Sequence, residues 1–260
     1  MIVGGQSFKN YSYVMAIINL TPDSFWSGSR TACDEVLFKV EQAVKDGAAI
    51  IDLGAQSTRP DYTEVSPQTE IERLEKPLYL IKKEFDIPVS VDTYFPEVAQ
   101  AALQLKADMI NDVWGLTLGN MAGVIAKHGA SVCIMHNAQK PLSGDIFPQI
   151  EDFLKSAADK AVAAGIDREK ICLDGGIGFA KNREQNWQLL NGYERLSRLN
   201  YPLLLGTSRK SMFGGNVEDR LPATLESTRM AVRKGVLFVR VHDVKENVEA
   251  IKVEYERNHN

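Results

Sequence analysis

Three observations predict a (β/α)8 TIM barrel forming a single domain over residues 1–260. The chain has 260 residues, close to the roughly 250 such a barrel needs. Short apolar, β-branched runs alternate with amphipathic stretches along its length. No linker or low-complexity segment divides it. A doubly wound open sheet is the alternative architecture.

The strand candidates, in order, are Tyr13–Asn19, Ala49–Leu53, Ile87–Asp92, Asp108–Asp112, Ser131–His136, Ile171–Asp174, Leu203–Gly206 and Val236–Val241. Most are nearly unbroken apolar runs, as parallel strands buried on both faces require. The first helical stripe is Val36, Leu37, Val40, Ala43 and Val44, stopping at Gly47. The second opens on Ser66 and Pro67, a cap followed by proline in the first turn, and carries Ile71, Leu74, Leu78 and Ile81. Further helices are expected over Phe95–Leu105, Met121–His128, Ile150–Ala164, Glu184–Leu199, Pro222–Lys234 and Lys245–Arg257, with Gly129, Gly165 and Gly235 as stops.

Net charge is −4, from 30 basic and 34 acidic residues, which argues against a nucleic-acid or membrane partner. The cysteines, Cys33, Cys133 and Cys172, are dispersed and form no CxxC pair, so reduced thiols in a cytoplasmic protein are expected. The N-terminal segment lacks the pattern of a signal peptide. The four histidines show no HxxxH or HExxH spacing, and GxSxG, GxGxxG and GxxxxGK[ST] are all missing.

Each strand ends in something polar: Asn19, Asp52, Asp92, Asn111-Asp112, His136, Asp174, Ser208-Arg209-Lys210 and Arg240-Val241-His242-Asp243. Any one of these is explained as a helix cap or a polar loop. Eight in a row point to the mouth of a barrel, where active sites of this fold lie. Asp92, Asn111 and Asp174 are acceptors suited to the N–H edge of a 2-amino-4-oxo heterocycle. Arg59, Lys210 and Arg240, with His242 near, suit an anion, and loops after the seventh and eighth strands are the usual phosphate region. Lys210 and Arg240 are expected to serve that ligand rather than a structural ion pair.

The same residues fall into motifs. Asn19-Leu-Thr-Pro-Asp-Ser-Phe25, Asp52-Leu-Gly-Ala-Gln-Ser-Thr-Arg-Pro60, Ser90-Val-Asp-Thr93, Ile110-Asn-Asp-Val113, Ile134-Met-His136, Asp174-Gly-Gly-Ile-Gly-Phe179 with Lys181, Gly206-Thr-Ser-Arg-Lys-Ser211 and Arg240-Val-His-Asp-Val244 follow one another in chain order. In this the chain resembles the dihydropteroate synthases from residue 17 to 244. That resemblance implies condensation of 7,8-dihydropterin-6-ylmethyl diphosphate with p-aminobenzoate, releasing pyrophosphate with Mg2+ present, in an enzyme targeted by sulfonamides. It implies pterin contacts from Asp92, Asn111, Met135, Asp174 and Lys210. Asn19, Thr58, Arg240 and His242 resemble the diphosphate and magnesium set, with Asn19 toward the metal. Arg59, Pro60, Phe179 and Ser211 resemble the p-aminobenzoate site. Asp174, Lys210, Arg240 and His242 resemble the catalytic group. A homodimer through the last two helices is also implied.

The chain departs from that pattern at Ser27 and Gln56, where acidic residues are usual, and at Asp61, Gly175 and Ala180. Ser27 carries no charge to pair with Arg59, so weak p-aminobenzoate affinity and slow turnover are expected. A pterin-dependent methyltransferase and a non-catalytic pterin-binding relative stand as alternatives.

Overall fold

The computed structural model describes residues 1–20, 30–56 and 65–259. Eight parallel strands close on themselves in chain order: β1 (Tyr13–Asn19), β2 (Ile50–Gly54), β3 (Val89–Asp92), β4 (Met109–Asp112), β5 (Ser131–Met135), β6 (Ile171–Asp174), β7 (Leu203–Leu205) and β8 (Phe238–Val241). β8 returns to β1 with Phe238 opposite Tyr13 and Arg240 opposite Met15. The closed barrel is the predicted architecture and excludes the open sheet.

Helices α1 (Arg30–Lys45), α2 (Pro67–Glu84), α3 (Pro96–Gln104), α4 (Met121–His128), α5 (Ile146–Ala163), α6 (Arg183–Asn191), α7 (Leu221–Arg233) and α8 (Val244–His259) follow the strands in turn. Ser66 caps α2 as its sequence predicts, its hydroxyl accepting from Thr69 N at 3.2 Å. Gly129 ends α4 in the left-handed conformation at φ 61°.

Two elements differ from expectation. Helix α5 starts at Ile146, before Pro148, with the Asp145 carboxylate accepting from Phe147 N at 3.1 Å. Proline is tolerated there because a first-turn N–H has no intrahelical partner to lose. The helix expected over 184–199 breaks after Asn191 and continues as a 3-10 segment, Tyr193–Leu199. A side chain at Gly192 would meet Phe147 at 2.6 Å, so the chain passes tight against α5 and turns Tyr193 inward.

A short antiparallel ribbon, Ile2–Val3 with Gln6–Ser7, precedes the barrel and was not foreseen. It closes the amino-terminal end: Val3 and Phe8 pack with Met15, Ile50, Met109, Cys133, Cys172, Leu204 and Phe238. Ser131 Oγ pins it, donating to Ile2 O at 2.6 Å. The remaining apolar core lies between strands and helices. All three cysteines are buried free thiols.

Candidate active site

Successive side chains on a strand point to opposite faces, so residues two apart share one. On six strands the inward residue at the floor is apolar, and the next one up is a predicted site residue or its neighbour. Ile50 gives way to Asp52, Met109 to Asn111, Cys133 to Met135, Cys172 to Asp174, Leu204 to Gly206 and Phe238 to Arg240. β3 departs at the floor, where a polar Ser90 stands below Asp92, both buried. Backbone alternation therefore lifts Asp52, Asp92, Asn111, Asp174 and Arg240 to the carboxyl end.

Arg240 organises one side of this ring. Its Nε donates to Asp52 Oδ2 at 2.6 Å and its Nη2 donates to Asp92 Oδ2. This corrects the view of Arg240 as free of structural ion pairs: one guanidinium spans two buried carboxylates, whatever else it binds. Burial works against its charge, but Asp52 and Asp92 outweigh it and hold its pKa above the usual arginine value. Burial pushes Asp92 up to about 7, against the pull of Arg240, and the Asp52 carboxylate adds to the rise. One cation cannot fully satisfy two carboxylates. Asp52 Oδ1 and Asp92 Oδ1 have no hydrogen-bond partner among the described residues.

Across the ring, Asp174 is buried, with Oδ1 accepting from Gly176 N at 2.8 Å and from Tyr193 Oη at 3.0 Å. Burial raises its pKa, while Lys210, Gly176 N–H and Tyr193 oppose the rise. Lys210 donates to Ile177 O and lies 4.8 Å from the centroid of the Phe179 ring. Burial pulls its pKa down to about 8, against Asp174 and Asp92. Asn111 is buried beside Asp92, its register neighbour. Met135, the register neighbour of Asp174, packs with Tyr94, Val113, Trp114 and Phe179. An apolar wall thus faces the carboxylates.

The glycines after Asp174 serve close approach rather than a phosphate loop. A side chain at Gly176, where φ is +72°, would lie 1.9 Å from His136 O. Lys181 caps this turn, donating to Gly176 O and Phe179 O at 3.0 Å each and contacting His136 Nδ1 at 3.0 Å. Burial, then Lys181, lower the His136 pKa to about 3, so the ring is neutral.

The other predicted residues divide. Asn19 ends β1, and its Oδ1 would lie in ordinary contact, 3.4 Å, with a side-chain carbon at Gly54. His242 shares a hydrogen bond with Ser208 through Nδ1 at 2.9 Å. Ser211 is exposed at the start of the turn after Lys210. Thr58, Arg59, Pro60, Ser27 and Asp61 lie outside the described residues. Asp112 turns away from the mouth, accepting from Trp114 N and Leu116 N at 2.8 Å each, so for this strand end the loop-capping explanation holds.

No group of three or more His, Cys, Asp or Glu among the described residues is arranged to hold a metal. A magnesium ion carried on a diphosphate needs only one or two protein oxygens. The amide oxygen of Asn19, exposed at the end of β1, fits that smaller demand.

Residues 15–242 match the family model described as pterin binding enzyme. A dihydropteroate synthase of Clostridium beijerinckii is 43% identical over 97% of both chains. The chain belongs to the dihydropteroate synthase family. The crystal structure of the Clostridium difficile dihydropteroate synthase in the presence of pteroic acid superposes with a TM-score of 0.94 at 42% identity, covering 98% of this chain and 100% of that one. The Xanthomonas albilineans enzyme with 4-aminobenzoic acid gives 0.91 at 33% identity, covering 96% and 94%.

Within this dihydropteroate synthase barrel, sequence reading left three supporting groups without a role. In the sequence Asp52 reads as a strand end, with nothing to mark it as the partner of Arg240. Lys181 reads only as the last member of its motif, and its bonds to Gly176 O and Phe179 O emerge from the fold. Tyr193 was counted as part of a helix, and only the Gly192 before it hinted at a break.

Proposed function

We propose that the mouth of this barrel joins 7,8-dihydropterin-6-ylmethyl diphosphate to p-aminobenzoate, giving 7,8-dihydropteroate and pyrophosphate. The observation that carries this reading is the gathering of buried Asp92, Asn111 and Asp174 with Lys210 and Arg240 at the carboxyl-end mouth of the barrel. Buried acceptors with cations set among them match a heterocycle bearing an anionic tail.

The reaction breaks the bond between the pterin methylene carbon and the diphosphate oxygen, and forms one from that carbon to the aniline nitrogen. The nitrogen then loses a proton to solvent. As the diphosphate departs, positive charge spreads into the pterin ring, and the Asp174 carboxylate beneath its amino edge stabilises that charge. Asp92 and Asn111 complete the acceptor set, and Met135 presses on the ring face. Arg240, with His242, Asn19 and Thr58, receives the leaving diphosphate. Asn19 would hold a magnesium ion brought by the diphosphate, which would supply neutralising charge there. Phe179, Arg59, Pro60 and Ser211 form the p-aminobenzoate side. The aniline is nucleophilic when neutral, so no strong base is needed.

The resemblance also supports a homodimer through α7 and α8, where Val253 is 39% exposed. Buried free thiols accord with a cytoplasmic setting. No described helix is long and apolar enough to cross a membrane.

The test is pyrophosphate release with both substrates present. Release that requires p-aminobenzoate is expected. Intact pterin binding without release, in any buffer containing Mg2+, would identify a non-catalytic pterin binder.

A further inference from the structure

We propose that Tyr193 is a positioning residue that sets the charge and orientation of Asp174, and through it the affinity for pterin. The proposal rests on reading Asp174 as a pterin acceptor. Tyr193 is fully buried below the mouth. Its hydroxyl oxygen accepts from Gly175 N at 2.9 Å and has two acceptors in reach, Asp174 Oδ1 at 3.0 Å and Leu204 O.

A hydroxyl has one proton to give. With Asp174 ionised, that proton goes to the carboxylate, because a charged acceptor forms the stronger bond. With Asp174 protonated, the acid donates to the phenol oxygen and the phenol donates to Leu204 O. The phenol is fully hydrogen-bonded in both states, and its donor lowers the cost of ionising Asp174 at the expense of the bond to Leu204 O. The same contact fixes Oδ1, which Gly176 N also holds. The plane of the carboxylate is thus set before ligand arrives.

The break after Asn191 acquires a purpose here. An unbroken helix over 183–199 follows a 3.6-residue period. The tight pass of Gly192 against Phe147 followed by a 3-10 turn delivers the phenol under β6 and β7 instead.

Other groups face Asp174: Lys210 after β7, Lys181 after β6, Arg240 on β8 and Cys133 on β5. All are shared by a Tyr193 variant and the parent, so a difference between the two isolates the hydroxyl. The probe is 6-hydroxymethylpterin, which has no phosphate to titrate, measured by calorimetry across an acid-to-neutral pH series. Tyr193→Phe should weaken binding about tenfold. The pH below which affinity is lost should move up, because a missing donor disfavours the carboxylate. In an Asp174→Asn background the Phe substitution should have little further effect.

Should Tyr193→Phe not fold, 3-fluorotyrosine at 193 keeps the ring and makes the hydroxyl a stronger donor, and should move the profile down. An unshifted profile in either variant overturns the proposal, as does an affinity loss that persists undiminished in the Asp174→Asn background. If Asp174→Asn itself leaves pterin affinity intact, the pterin reading of the site fails with it; if only the Tyr193 variants are silent, the proposal alone fails.

Discussion

Phe238 and Arg240 stand two residues apart on β8, face the same side of the strand and belong to different worlds. Phe238 lies in the apolar plug with Phe8, Met15 and Leu204. Arg240 lies among carboxylates. A rise of about 6.6 Å along one strand separates a layer whose stability comes from excluded water from a layer whose groups are mutually dependent. The lesson is that the mouth is not decoration on a stable barrel. Its charges are paired, so removing one leaves others buried and exposed to the full cost of desolvation.

The largest effect should come from breaking either layer of that strand. Phe238→Ala removes a ring from a closed plug and should cost about 3–5 kcal/mol. Arg240→Met should cost a similar amount, about 3–5 kcal/mol, because Asp52 and Asp92 lose their cation. Denaturant melts separate the two by rescue: adding Asp92→Asn should recover part of the Arg240→Met loss and none of the Phe238→Ala loss. Equal recovery in both would erase the distinction between the layers.

Asp174→Asn comes next. Pterin binding should weaken by about 1.5–3 kcal/mol while the fold persists; calorimetry on the folded variant checks it, and unchanged affinity counts against Asp174 as the acceptor.

The third prediction concerns pH. Glu70 of α2 is buried, and burial, with Asp92 adding, pushes its pKa up to about 7 from 4.5. A carboxylate whose folded pKa is raised binds more protons in the native state, so its contribution makes stability fall as pH rises between about 4.5 and 7. Glu70→Gln removes that contribution. The variant's thermal midpoint relative to the parent should therefore climb across this window and level off above it. A difference that stays flat with pH would place the ionised form of Glu70 in a favourable setting.

The smallest effect should be at Ala180, whose φ is +48°. The left-handed region costs an L-residue about 1–2 kcal/mol, and glycine returns about 0.4–1 kcal/mol of that through unfolded-chain entropy. Ala180→Gly should stabilise by roughly 0.5–1 kcal/mol in a chemical melt, and a loss would mean the methyl group packs usefully.

Sequence alone determined the barrel and the polar end of each strand. These depend on local periodicity and on side-chain alternation, which a linear pattern records directly. Even so, periodicity ran Glu184–Leu199 together, because a tight pass against Phe147 leaves no mark beyond one glycine. It also put Asp112 among the mouth groups, since whether a carboxylate turns to its own loop or to the pocket depends on φ and ψ rather than residue type. The pairing of Arg240 with Asp52 and Asp92, 188 and 148 residues away, was decided only by closure of the barrel. So was the meeting of Tyr193 with Asp174, between a 3-10 turn and a strand end. Both are distance facts: the charge a buried group carries, and the partner that sets it, exist only once the chain has brought remote residues within reach of one another.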